Sequence, residues 1–257
     1  MTTTLQHKLL LAGLLTATSL PCASALADEL PPETEAAEHP LVTFMKDGKV
    51  NLNVRARYEF AEVGTLGDSN AFTLRTRLGY TTKRFEGFQA MIEMEDNRAA
   101  DNNEYFDAIA PNTLGLSPIA DPEDTELNRF WIDYDFSSLS EDLPLALKLG
   151  RQGINLDDQR FVGTVAWRQL DQTFDAARLT AQPTEDLTAT YIYVDEVNRI
   201  FGQSSGLDFD SNSHLINVAY SGLDLGKVVG FAYLLDLGPT GSAGAALSSQ
   251  TYGVRLD

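Results

Sequence analysis

The chain has 257 residues, 19 of them basic and 37 acidic, giving a formal net charge of −18 and an isoelectric point near 4.4. That balance disfavours nucleic acid as a partner, because phosphate binding needs Lys and Arg clustered on an accessible surface. One cysteine and the absence, past residue 27, of any run of about 18 apolar residues exclude a disulfide framework and a membrane-crossing helix.

His7 and Lys8 precede an apolar run over residues 9–15, and a weakly polar stretch then leads to Ala25-Leu26-Ala27, with acid from Asp28 onward. This predicts a signal peptide over residues 1–27. Cys22 lies inside it, and Pro21 argues against a lipoprotein site, so the mature chain is expected to carry no thiol chemistry. Residues 28–49 read as an acidic, proline-bearing periplasmic tail followed by a short lead-in, with no chemistry assigned.

Residues 50–60 alternate without a break: Val50, Leu52, Val54, Ala56, Tyr58 and Phe60 are apolar, while Asn51, Asn53, Arg55, Arg57 and Glu59 are polar. A period of two makes a strand with two opposed faces. Its length suits a tilted bilayer crossing of roughly nine to eleven residues, whereas strands of soluble sandwiches usually run about five or six. The template repeats over 72–80, 88–94, 129–136, 145–152 and 173–181, and less cleanly over 187–194, 214–220, 228–235 and 250–257. About ten strands result. The connections alternate in length, short at 81–87, 137–144, 182–186 and 221–227, long at 61–71, 95–128, 153–172, 195–213 and 236–249. Outer-membrane barrels show this asymmetry between periplasmic turns and extracellular loops. The expected fold is all-β, an antiparallel transmembrane barrel of up-and-down meander topology over residues 50–257.

On this scheme the inward positions hold Arg55, Arg57, Arg75, Arg77, Arg129, Lys148, Arg178 and Arg255 against Glu59, Glu93, Glu95, Asp133, Asp135 and Asp257, a slightly basic lumen wall. Most of the acid falls in the tail and long loops. If Phe60 faces Phe72, Arg57 faces Arg75 and Arg55 faces Arg77, an arrangement that needs something anionic between the strands. Setting Tyr80 opposite Phe88 would bring Glu93 to Arg75. Two readings stay open here: an arginine–glutamate ladder inside the wall, and an anion site facing solute.

Residues 149–179 contain Gly150-Arg151-Gln152, Asp158-Gln159-Arg160, Gly163, Trp167 and Phe174-Asp175-Ala176-Ala177-Arg178 in that order, and Asp47-Gly48-Lys49 leads into Asn53-Val54-Arg55-Ala56-Arg57-Tyr58-Glu59. In both blocks the chain resembles the alginate-export porin family of Gram-negative outer membranes. The resemblance implies a monomeric, many-stranded barrel with an arginine-lined pore. It makes Arg151, Asp158, Arg160, Asp175 and Arg178 a pore-side set, with Trp167 anchoring the long loop; a loop folded onto the barrel and held by ion pairs is the structural alternative. Expected partners are small hydrophilic or anionic solutes, with a uronate polysaccharide as a further candidate, and outer-membrane lipid and lipopolysaccharide. The family has more strands than this chain, which ends at Val254-Arg255-Leu256-Asp257 inside an apparent strand, so the expectation is part of a larger barrel.

Other chemistries have little support. Ser213-His214 starts a strand, but no motif places an acid or an oxyanion donor beside it, so no enzyme activity and no cofactor are expected. Asp208-Phe209-Asp210-Ser211-Asn212 has the spacing of a calcium loop, but Ser213 replaces the glycine and Ala219 the bidentate glutamate, leaving a polar loop as the default. The competing function class is a closed barrel that only binds partners through its acidic loops.

Overall fold

A computed structural model describes residues 40–100, 104–109, 113–238 and 247–257. Residues 1–39, which hold the expected signal peptide with Cys22, the start of the acidic tail and His39, lie outside the described residues, as do 239–246 of the last long connection.

A short helix, α1 (Pro40–Lys46), precedes ten strands: β1 (Lys49–Ala61), β2 (Ser69–Thr81), β3 (Phe88–Ala99), β4 (Asp124–Asp135), β5 (Leu145–Gln152), β6 (Thr173–Thr184), β7 (Leu187–Asn198), β8 (Phe209–Leu223), β9 (Gly226–Leu235) and β10 (Ser249–Leu256). Each pairs antiparallel with the next in one sheet of order β1 to β10. The meander expected from the alternation is therefore present. The sheet is open, since β1 pairs only with β2 and β10 only with β9.

The two faces differ as the period of two requires. Val50, Leu52, Val54, Tyr58 and Phe60 of β1 are 53–67% exposed, and the belt continues through Leu74, Leu78, Ile92, Ile132, Leu149, Ile216 and Val254 on later strands. Apolar exposure on this scale is the face that hydrocarbon solvates in a barrel. Leu74→Arg, in the middle of β2, is expected to lower stability in lipid by about 2–4 kcal/mol, read as a shift of the urea midpoint for unfolding from vesicles. No change would mean that this face does not meet lipid.

The other face is polar and largely buried, with Arg75, Glu93, Glu95, Asn97 and Asn128 among its buried side chains. The apolar packing also lies there, between the wall and the long connections. One cluster joins Ile154 and Val162 to Phe174, Ile192, Val194, Leu215 and Tyr233, and a smaller one joins Tyr105 and Ile119 to Ala71.

Register departs from the expectation while parity holds. Phe60 pairs with Asn70, Arg55 with Arg75, and Arg57 with Thr73. Tyr80 pairs with Ile92, so Arg77 meets Glu95 and Arg75 meets Asn97. The second hairpin turns at Glu86-Gly87, both with positive φ of 47° and 87°, between the bridged Phe85 and Phe88. That is the two-residue geometry favoured in hairpins, and it carries the ladder past Phe88. Slips by an even number of residues keep every side chain on its face. The segment with calcium-loop spacing, expected to be a polar loop, is another correction: from Phe209 it belongs to β8, where Phe209, Ser211 and Ser213 are buried and Asp210 pairs with Glu196.

Candidate functional site: an inward loop on a basic wall

The connection between β5 and β6, residues 153–172, folds against the inner face. Gly150 prepares its entry: at φ +110° a Cβ there would stand 2.3 Å from the Phe130 carbonyl oxygen, so the Gly-Arg-Gln strand end tolerates only glycine at its first position. Ile154, Leu156 and Val162 then pack on the apolar part of the wall.

Three anchors hold the loop. The first is the one-turn 3-10 helix Asp157–Gln159, whose three residues all have positive φ, 48°, 57° and 61°. Each left-handed non-glycine residue costs roughly 1–2 kcal/mol, so the turn needs outside support. Asp157 supplies it. Its carboxylate accepts from the Tyr233 hydroxyl and from Asn217 Nδ2 at 3.3 Å, and pairs with Arg255 at 3.5 Å.

The second anchor is the tip, where backbone carbonyls meet the arginines of β1 and β2. Arg55 donates Nη1 to Ala166 O at 3.0 Å, Nε to Gln169 Oε1 at 2.7 Å and Nη2 to Arg168 O. Arg57 donates to Trp167 O, and Arg75 to Gln169 O at 3.2 Å. Gln169 is fully buried and closes the join: its side-chain amide donates to Thr73 Oγ1 at 2.7 Å and its backbone N–H to Asp121 Oδ1 at 2.8 Å. The Arg57 and Arg168 guanidiniums lie 5.1 Å and 3.9 Å from the Trp167 ring centre.

The third anchor is ionic. Asp171 pairs with Arg77 at 2.8 Å and with Arg129 at 3.4 Å, while Arg77 also pairs with Glu95. Asp121 takes Arg57 at 3.4 Å and Arg168 at 3.7 Å. The repulsion between Arg55 and Arg75, opposed across the strands, is thus offset by loop carbonyls and by carboxylates from three connections and strands. The glutamates of the ladder reading take part, Glu95 at Arg77 and Glu93 at Arg129. The loop itself is the larger counter-ligand of Arg55 and Arg75.

The residues singled out from sequence fall in separate places. Arg55, Arg57, Arg75, Arg77 and Arg129 form the loop seat. Lys148 and Arg178 face each other across β5 and β6 on the inward parity; Lys148 Nζ stands 4.0 Å from the Trp131 ring centre, and neither cation forms an ion pair among the described residues. Asp133, opposite Lys148 in register, is paired with Arg84. Arg151 and Asp175 make a two-pronged pair, both contacts 2.8 Å, but they share the parity of exposed Phe130 and Leu149. That sets them on the opposite face from Arg178, apart from the pore-side set that the resemblance implied. Asp158 and Arg160 are exposed on the loop, and Trp167 is exposed at the tip. Ser213 and His214 turn to opposite faces: Ser213 is buried, and His214 Nδ1 meets the Tyr191 hydroxyl at 2.8 Å.

Sequence reading missed Gln169, Asp171, Asp121 and Asp157. Asp121 sits in one of the long connections to which the sequence assigns most of the acid, yet only 1% of it is exposed. In the same stretch Asp124 and Glu126 accept backbone N–H groups of Ser204 and Gln203, both at 2.9 Å. Much of the loop acid is therefore engaged with the fold.

An antiparallel meander with an apolar outer belt, a polar inner wall and a long connection folded onto that wall defines a β-barrel of the outer-membrane porin class. Residues 48–193 match the family described as Alginate export, and the chain belongs to that family. Membership and fold together place it in the Gram-negative outer membrane. Among solved structures, OccK8 (OprE) of Pseudomonas aeruginosa is similar at 15% identity and a TM-score of 0.53, over 75% of this chain and 48% of that one. OccD3 (OpdP) of the same organism has 15% identity and a TM-score of 0.48, over 75% and 41%. A BenF-like porin from Pseudomonas fluorescens has 12% identity and a TM-score of 0.41, over 83% of this chain and 65% of that one. The chain spans about half the length of the first two. A search of curated proteins finds no match.

Proposed function

We propose that the full-length protein is a monomeric, passive outer-membrane channel for hydrophilic anionic solutes, sugar acids among them, with the 153–172 loop narrowing its lumen. One observation carries the anionic part. Lys148 and Arg178 stand together on the inner wall with no carboxylate in ion-pair contact among the described residues, since Asp133, the acid in their field, is paired with Arg84, whereas the arginines of β1 and β2 are occupied by the loop. Charged side chains in a lumen set ion selectivity, so unpaired cations favour anions where paired ones do not. Small solutes suit this arrangement better than a polyuronate, because the loop lies against the wall along which a polymer would pass. The long connections face outward in this reading, toward lipopolysaccharide, and the short turns face the periplasm.

The test is reversal potential in planar bilayers under a tenfold KCl gradient. The full-length Lys148→Glu/Arg178→Glu variant is expected to lose or invert anion preference while keeping its heat-modifiable mobility, since lumen substitutions tune selectivity at small cost in stability. An unchanged reversal potential in folded channels would remove these two residues from the conduction path. A parent protein without conductance would favour the binding-only barrel.

A further inference from the structure

A second site, distinct from Lys148 and Arg178, lies at the tip of the inward loop. The loop's apolar side chains turn to the wall: Ile154, Val162 and Leu170 are buried, and the Phe161 ring packs on Phe231 and Tyr233. Trp167 does the reverse. It is 59% exposed, although the backbone on either side of it is tied to β1. Its own carbonyl accepts from Arg57, and Ala166 O and Arg168 O accept from Arg55. The indole takes no part in this anchoring, and its N–H has no acceptor among the described residues.

The ring is nevertheless fixed. The Arg168 guanidinium stacks 3.9 Å from its centre, and Arg57 stands farther off at 5.1 Å. Both cations are balanced by acid: Arg57 pairs with Glu59 and, at 3.4 Å, with Asp121, and Arg168 pairs with Glu59 at 3.3 Å and Asp121 at 3.7 Å. Two cations and two carboxylates leave no net charge around the indole, so the tip draws neither anions nor cations as such. It offers a rigid aromatic surface bordered by the partly exposed Arg57 and Glu59, whose spare donors and acceptors suit hydroxyl groups. A pyranose has the matching chemistry, with C–H groups on the ring face and hydroxyls around its edge.

We propose that Trp167 is a specificity-determining residue, a platform on which the face of a pyranose ring stacks while its hydroxyls meet Arg57 and Glu59. The inference rests on the reading of the protein as a channel for hydrophilic solutes and adds what the loop recognises in them: Lys148 and Arg178 act on charge, and Trp167 on the ring. An open-chain polyol has the same hydroxyls but no preformed face, and it must give up torsional freedom to lie flat. The backbone anchors hold the indole in place before solute arrives, which spares the corresponding loss on the protein's side.

Saturation-transfer-difference NMR on the full-length protein in lipid nanodiscs tests this with methyl β-D-glucopyranoside and D-glucitol, two uncharged polyols. The pyranoside is expected to give a saturable signal, with an affinity about fivefold or more above that of glucitol, the difference one aromatic stacking contact makes. Trp167→Leu keeps the backbone carbonyl that Arg57 holds and should bring the pyranoside down to the level of glucitol. Trp167→Tyr keeps an aromatic face and should retain most of the preference. Equal affinities in the parent, or a pyranoside signal that never saturates, overturn the proposal without any variant; so does a ring preference that survives Trp167→Leu or vanishes in Trp167→Tyr. Both probes are uncharged and the readout is equilibrium binding, so lost anion preference in the bilayer experiment leaves this result standing, and equal affinities here leave anion selectivity standing.

Discussion

Replacing Arg55 and Arg75 together by glutamate is expected to free the tip of the inward loop, raising single-channel conductance and opening residues 165–169 to protease. Both arginines point inward, which by itself suggests a change of ion preference. Their contacts decide otherwise: Arg55 holds the loop at Ala166, Arg168 and Gln169, and Arg75 holds it at Gln169. Each lost hydrogen bond to a charged donor is worth about 1.5–3 kcal/mol when it leaves a buried acceptor unpaired. The new carboxylates would also stand among Glu95, Asp121 and Asp171, three buried acids that now rely on the arginines. Val165 adds to the effect, because a β-branched residue at φ 51° persists only where neighbours hold it. The expected order is therefore loop release first, with a fall of several kcal/mol in stability, and selectivity second. Arg55→Lys/Arg75→Lys keeps the charge and loses the fork, so it should release the loop in part. If conductance and protease resistance stay at the parent level while selectivity alone moves, these arginines serve solute and not the loop.

How much of this was legible follows from what periodicity encodes. Alternation over β1 placed Val50 to Phe60 on the lipid face and Arg55, Arg57 and Glu59 on the inner one, and the lengths of the connections set the meander. Parity carries no register, however, and the pairing of Arg55 with Arg75 is set by where Glu86-Gly87 and the first hairpin turn. β8 was read too short because its first inward residues after Phe209 are serines, which carry no strand signal until Ser211 and Ser213 are seen to bond each other at 2.8 Å. The loop seat was the hardest part. Its decisive contacts join residues more than a hundred positions apart, such as Arg55 with Gln169, and backbone carbonyls supply most of the acceptors; no residue type announces a carbonyl. A weaker signal was available in the loop itself, where Ile154, Leu156, Val162 and Leu170 are too apolar for a connection that stays in water. Motif order led correctly to the family and less well to the site, since Arg151 and Asp175 lie beside Arg178 in sequence but on the other face of the wall.

Arg77→Met should be the most damaging single change on the inner wall, because it strands two buried acids at once. Arg77 is the common partner of Glu95, which is fully buried, and of Asp171, which is 3% exposed. Removing one member of a buried ionic group typically costs about 3–5 kcal/mol, since the charge left behind has neither water nor a counter-charge. Here Arg75, 3.9 Å from Glu95, and Arg129, 3.4 Å from Asp171, give partial compensation and set the cost toward the lower end. Neutralising the acids should then restore what the arginine supplied. Arg77→Met/Glu95→Gln/Asp171→Asn is expected to recover most of the loss, even though it removes every ion pair of the trio, because amides hydrogen-bond without demanding a counter-charge. Urea unfolding of the parent, Arg77→Met and the triple variant from lipid vesicles gives the comparison. A triple variant less stable than Arg77→Met would mean that the trio stabilises the wall by attraction in its own right, whereas recovery would show that Arg77 is needed chiefly to make Glu95 and Asp171 tolerable where the loop meets β2 and β3.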